Sequence, residues 1–477
     1  MIAVVRRLGV VHRLGVLAMA LAGRAEAQAP AQATEAWQPP TLTITRYDED
    51  WSTDVDAAER DKRWTGRFKH VPIAPDTYLT TGIELRARNE AYDDNLWGAA
   101  AAPDDGYLWL RAMPYADLHV GRVRGFVQPI AAYAVGVSPS ASPIDQTCVD
   151  LLQAFVDVRL GAAATNALDD TGVTIRAGRQ MISLGTERLI GTRYGPNVPL
   201  AFDGIRSLIS LNGATVSILA VRPVQPGSGT LDDRRSRTKS LWAAYVTIGN
   251  GDPGLDVYYI GYRNSAAVFG PRTGRELRHS IGARAFGRAV DWHWNVEGIA
   301  QFGRFAGGPI AAWTLATEVG RSFPNAPLAP DAVLRFNIVS GDRHRDDDRL
   351  GTFNALFPKG KYFGELSPVG PTNIVSVNPR VATTLTTTVS ASLAGAAYWR
   401  YSLDDGVYDI PGNLIRAPGT SRARFIGREA EATLAWQATP ELELSTSLSA
   451  FAAGQFIRDT GKARTIAMLG TEANFRF

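Results

Sequence analysis

The stretch Ala467-Met468-Leu469-Gly470-Thr471-Glu472-Ala473-Asn474-Phe475-Arg476-Phe477 alternates in character almost residue by residue. In an extended strand Ala467, Leu469, Thr471, Ala473, Phe475 and Phe477 share one face, and Gly470, Glu472, Asn474 and Arg476 share the other. Such a strand divides an apolar medium from water. The same period recurs upstream. Between Tyr78 and Asn89, residues Leu79, Thr81, Ile83, Leu85 and Ala87 oppose Glu84, Arg86 and Arg88. Between Asp291 and Phe302, residues Trp292, Trp294, Val296 and Ala300 oppose His293, Asn295, Glu297 and Gln301, and Leu442, Leu444, Thr446 and Leu448 oppose Glu441, Glu443, Ser445 and Ser447.

The start of the chain suggests where this alternation is used. Arg6, Arg7 and Arg13 precede a short apolar run, Leu14 to Ala22, and Ala25-Glu26-Ala27 has the small-residue form of a leader cleavage site. Residues 1–27 therefore read as a secretory signal peptide. No later stretch offers the roughly 18 uninterrupted apolar residues of a membrane helix. Only helices and closed barrels satisfy their backbone inside a bilayer, so a membrane-embedded form of this chain has to be a barrel. The fold expected is all-β, a transmembrane antiparallel β-barrel of about 18 strands over residues 77–477, with short periplasmic turns and long extracellular loops. Residues 28–76 form an N-terminal periplasmic or lumenal segment.

Loop lengths support this topology. Long connections are expected at 91–106, 137–149, 183–201, 222–239, 264–274, 341–372 and 402–422, and compact turns such as Asn212-Gly213 and Ala438-Thr439-Pro440-Glu441 fall between them. Trp242, Trp292, Trp313, Trp399, Trp436, Phe475 and Phe477 are candidates for interfacial belts. Removing the leader's four arginines and one glutamate from a net charge of +3 leaves the mature chain about neutral, so net charge does not identify a partner. A single cysteine, Cys148, excludes an internal disulfide.

A charged strand face has to point inward, because Arg or Lys facing lipid near the midplane costs about 2–4 kcal/mol. The inward set contains Arg86, Arg88, Arg111, Arg124, Arg159, Arg176, Arg284, Arg335 and Arg400. Arginine's planar donor fork suits carboxylates on a passing solute, and equally suits carboxylates on a neighbouring strand. Both readings, an anion path and a braced wall, stay open.

The segment Arg176-Ala177-Gly178-Arg179-Gln180, then Gly185, Glu187-Arg188-Leu189-Ile190-Gly191 and Phe202-Asp203-Gly204-Ile205-Arg206, resembles the alginate export family of outer-membrane proteins. Arg46-Tyr47-Asp48-Glu49-Asp50-Trp51 ahead of Lys69 and Glu84-Leu85-Arg86, and the run from Trp399 to Tyr408, resemble it too. The resemblance implies an 18-stranded bacterial outer-membrane barrel that exports an anionic polysaccharide through an arginine-rich constriction. It adds Arg179 and Arg188 to the candidates for the substrate path. Strand parity turns Arg179 toward lipid; the preferred resolution is a bulge at Gly178 that returns it to the lumen, and the alternative places it at the outer rim. Arg188 and Arg193 lie in a long connection able to fold inward.

No catalytic motif, paired-cysteine metal pattern or nucleic-acid patch stands out, so no enzyme, metal or cofactor is expected. The partners expected are an anionic polysaccharide or small organic anions, outer-membrane lipid and periplasmic export proteins. Besides polysaccharide export, a diffusion porin for small organic anions and a barrel whose loops serve adhesion remain as readings.

Overall fold

The computed structural model describes residues 40–51, 63–161, 171–249, 252–344 and 346–477. The expected leader lies outside the described residues. Eighteen antiparallel strands close into one barrel. They are β1 (Thr77–Asp93), β2 (Asp105–Val120), β3 (Val123–Val135), β4 (Thr147–Leu160), β5 (Gly172–Gln180) and β6 (Phe202–Leu211). Next come β7 (Ala214–Gln225), β8 (Lys239–Ile248), β9 (Gly254–Phe269), β10 (Arg272–Ala289), β11 (Trp292–Phe305) and β12 (Gly308–Ser322). The last six are β13 (Asp331–Val339), β14 (Ile374–Thr384), β15 (Val389–Arg400), β16 (Phe425–Gln437), β17 (Leu442–Ala453) and β18 (Ile466–Arg476). The seam closes where β1 pairs with β18, from Glu84 opposite Arg476 to Asp93 opposite Ala467. Closure leaves no edge strand, which a bilayer requires.

The side-chain parity follows the alternation in the sequence. Leu85 is 43% exposed on the outer skin, whereas Glu84 and Arg86 on the same strand are buried inside. Ile205, Leu393 and Leu448 likewise stand outward and exposed. Trp292 and Trp436 sit near the periplasmic ends of their strands, and Trp313 and Trp399 near the extracellular ends.

One loop expectation fails. Residues 264–274 are no long loop: β9 and β10 run up to a two-residue turn at Gly270-Pro271, and the irregularity there is a register shift between Asn264 and Ala267. β11 and β12 likewise meet through residues 306–307. These strands are 14–18 residues long, more than the roughly 9–11 needed to cross the hydrocarbon core, so their pairing continues into what would otherwise be loop.

The lumen is not an empty bore. In its extracellular half an apolar cluster gathers Trp97, Leu189, Ile190, Phe202, Tyr258, Tyr262, Phe353, Phe357, Tyr398, Phe451 and Phe456. It combines inward strand residues with the connections 94–104, 181–201, 340–373 and 454–465, which fold over and into the barrel. An 18-strand interior is too wide for strand side chains alone to fill, and the inward connections supply the missing volume.

Candidate functional site

Two inward connections meet inside the barrel. Residues 181–201, between β5 and β6, and residues 340–373, between β13 and β14, join through a parallel bridge at Ile190 and Phe357. Three backbone hydrogen bonds tie them: Gly191 N to Phe357 O at 2.8 Å, Phe357 N to Leu189 O at 3.0 Å and Lys359 N to Glu187 O at 2.9 Å. The result is a bar across the lumen. Gly185 begins its first limb with φ of +55°, where a Cβ would lie 2.3 Å from the Tyr245 hydroxyl, so both the turn and the close approach require glycine.

Arginines from the wall hold this bar. Arg86 donates to the carbonyls of Tyr194, Gly195 and Pro196 at 2.9–3.2 Å. Arg111 donates to Pro196 O at 3.1 Å and to Glu84 at 2.6 Å, with its guanidinium 4.4 Å from the Tyr194 ring centre. Asn197 completes the clamp by donating to the carbonyls of Leu110, Tyr133 and Asp145. A loop that has left the sheet needs partners for its backbone carbonyls, and Arg86 and Arg111 supply them from the wall, while Asn197 donates from the bar to the wall.

The other predicted arginines are also engaged. Arg88 bridges Glu90, Glu365 and Glu472 at 2.5–2.8 Å. Arg176 makes a fork-to-fork pair with Asp157, at 2.8 Å through both contacts, between the rings of Tyr47 and Phe155. Arg124 pairs in the same way with Asp117, and Arg284 with Asp256 at 2.7 Å. Arg188, on the bar, reaches Glu297 at 2.8 Å and the Tyr362 hydroxyl. Arg335 pairs with Glu318. Arg400 is fully buried and donates to the carbonyls of Ser421 and Ala423 while stacking on Phe456. Arg159 is half-buried at the lower end of β4, opposite Thr174.

Arg179 is a correction. The ladders of β5 with β4 and β6 count through Gly178 without a register shift, so no bulge returns Arg179 to the lumen. It stays on the outward parity, opposite to Arg176, at the extracellular end of its strand. There it forks onto Asp203, and it donates to Leu151 O at 3.0 Å. A carboxylate on the adjacent strand and the nearness of the rim make the outward charge tolerable.

Sequence reasoning left open whether residues 28–76 are periplasmic or lumenal, and missed which of their side chains seat a plug in the lumen. Tyr47 inserts its ring among Phe126 and Phe155 and donates its hydroxyl to Met181 O at 2.6 Å, at the foot of the bar. Arg46 pairs with Glu49 at 2.7 Å and donates to the Phe477 carbonyl at 2.7 Å. Lys69 donates to the Tyr115 hydroxyl and to Thr81 O. Contact with Gln153, whose amide donates to Thr45 O, completes the seat. The signal was local: a short charged and aromatic run, Arg46 to Trp51, ahead of a barrel with an inward Tyr and Phe set. Also missed were the inward tyrosines Tyr258, Tyr262 and Tyr398, although they share strand parity with Asp256 and Asn264 or with Arg400.

Residues 77–468 match the family model described as alginate export. No curated protein matches the sequence. Among solved structures the chain is similar to OccAB1 from Acinetobacter baumannii, at 12% identity and a TM-score of 0.57 over 84% of this chain and 96% of that one. It is similar also to OpdO from Pseudomonas aeruginosa, at 10% identity and a TM-score of 0.55 over 85% and 98%. OccK2 from the same organism, solved in complex with glucuronate, gives 12%, 0.55, 84% and 98%. Identities this low establish the shared barrel fold, and the family match spans most of the chain: this protein belongs to the alginate export family and is a bacterial outer-membrane β-barrel channel.

Proposed function

We propose that the barrel conducts an anionic saccharide of the uronate class, an alginate-like polymer in the direction of export. The observation that carries this reading is the bar: a family member's closed barrel is crossed by two tied loops that bring Arg188, Arg193, Lys359 and Lys361 into the lumen. Cations placed at a narrowing draw in carboxylates and repel other cations, which gives selectivity without a tight site.

A second reading, passive diffusion of small organic anions, is favoured by one feature. The extracellular half of the lumen is packed with apolar side chains, which suits a monomeric solute better than a wide polymer. The glucuronate complex belongs to OccK2, and it illustrates that a barrel of this fold accommodates a uronate monomer.

Planar-bilayer recording of the purified full chain separates these readings. Export of a polyuronate predicts anion-selective current that oligouronates of several units block more strongly than glucuronate does. Equal block by monomer and oligomer supports diffusion of small anions. Cation-selective current would refute both.

A further inference from the structure

A cation on the outer skin of a barrel is costly at the bilayer midplane and nearly free at its faces, so an outward arginine marks a headgroup level. Outward parity places Arg263 on β9, Arg275 on β10 and Arg304 on β11. All three are exposed, and among the described residues their guanidinium groups make no hydrogen bond or ion pair with a protein group. Arg179, the outward arginine of β5, has Asp203 beside it; the outward residues of β8 to β12 include no carboxylate. Asp347 and Asp348 approach this face only at the tip of the β9–β10 hairpin, where Arg272 donates to their backbone carbonyls at 3.1–3.3 Å.

The three arginines form a triangle. Arg263 and Arg304 both stand opposite Leu277, one strand away on either side, which puts their backbones about 10 Å apart. Arg275 lies two residues further up β10, about 7–8 Å diagonally from each. Immediately below runs a continuous outward row, Trp242, Gly261, His279 and Phe302, with the Trp242 indole lying over Gly261. His279 stacks on Phe302 at 5.3 Å and shares a hydrogen bond of 2.7 Å with the Tyr259 hydroxyl. Rings with an apolar body and a polar tip gather where hydrocarbon gives way to headgroups. The length of β11 agrees: from Trp292 to Phe302 it has the roughly 9–11 residues with which a tilted strand crosses the hydrocarbon core, and its outward residues between them, Trp294, Val296, Gly298 and Ala300, carry no charge. Arg304 is the next outward residue, on the extracellular side. The three cations therefore stand among the headgroups of the outer leaflet. Above them the β9–β10 hairpin continues with Ser265, Ala266 and Thr273 exposed, small side chains that leave room for sugar rings against the wall.

We propose that Arg263, Arg275 and Arg304 form a docking site on the lipid-facing skin for the phosphates of an outer-leaflet phosphoglycolipid of the lipid A type. Guanidinium forks take phosphate oxygens two at a time and stay charged at every physiological pH. The acyl chains of the same molecule lie on the apolar skin below, where Leu277, Ile281, Val296 and Phe302 are 37–52% exposed, and they supply the hydrophobic contact that a free phosphate lacks. The site is on the opposite face of the wall from the lumen and is independent of what the channel carries.

Binding of fluorescent diphosphoryl lipid A to the purified full chain in mixed detergent micelles tests the site, with closed-barrel assembly verified by heat-modifiable gel mobility. Arg263→Ser, Arg275→Ser and Arg304→Ser combined should weaken binding about tenfold or more, and Lys at the same three positions should recover most of it. Arg321→Ser, which removes the outward arginine at the periplasmic end of β12, should leave binding unchanged. Unlabelled lipid A should displace the probe, whereas inorganic phosphate and phosphatidylglycerol should not. Undiminished binding by the triple Ser variant, or an equal loss in Arg321→Ser, would overturn the site; equal displacement by inorganic phosphate or by phosphatidylglycerol would overturn its assignment to a phosphoglycolipid.

Discussion

Two sides of one lumen carry similar residues in opposite environments. On the β1–β5 side the inward residues Thr80, Arg86, Gln128, Gln153, Asp157 and Arg176 are at most 5% exposed, because residues 43–51 and the foot of the bar are stacked upon them. On the β12–β16 side Glu318, Arg335, Arg380, Ser390 and Thr433 keep contact with water. Parity says only that a side chain points inward. Whether it meets solvent depends on which loop lands in front of it.

The largest effect expected from this contrast is at Arg111. Arg111→Ala leaves Glu84 charged and unpaired at 1% side-chain exposure and releases the carbonyl of Asn197, so it should cost about 3–5 kcal/mol. Urea unfolding in detergent micelles measures it, and stability equal to wild type would erase the distinction between the two sides. Tyr47→Ala comes next, at about 3 kcal/mol for an aromatic ring lost from a packed cluster. It also unfastens the plug from Met181 O, so single-channel conductance should rise; an unchanged conductance would show that the filled side does not limit flow.

On the open side the same chemistry should matter far less to stability. Arg335→Ala breaks a pair that is a third exposed on both partners and should cost about 0–1 kcal/mol in the same unfolding assay. A cost like that of Arg111→Ala would mean that the two sides are equally dry. The smallest effect concerns pH. Lys359 loses its positive charge as pH rises through about 8, so anion preference should decline between about pH 7 and 9. Arg335, Arg188, Glu187 and Glu318 surround it, and Lys359→Arg should flatten the profile. A decline that persists in Lys359→Arg assigns the titration to another group.

Much of the barrel was legible because a bilayer imposes a two-residue period that few other settings sustain for so long. Glu84 and Arg86 inside with Leu85 outside follow from that period alone. The failure at residues 264–274 has the same root: Gly, Pro and Arg between two runs look like loop, yet strands longer than the membrane keep pairing beyond it. Arg179 failed for a different reason. A motif borrowed from resemblance suggested a lumenal role, and only the uninterrupted ladder through Gly178, with Asp203 alongside, reveals that an outward arginine is already satisfied.

The order of residues by itself determined a closed antiparallel barrel, its strand parity and the family it belongs to, since each follows from local alternation or from short motifs. Which charges are neutralised was decided only in three dimensions. Arg88 meets Glu365 across 277 positions of chain, and Ile190 meets Phe357 inside the barrel through loops whose landing places no periodicity encodes. Burial and partnership are properties of those distant encounters, and they separate an arginine that braces a wall from a lysine that faces water.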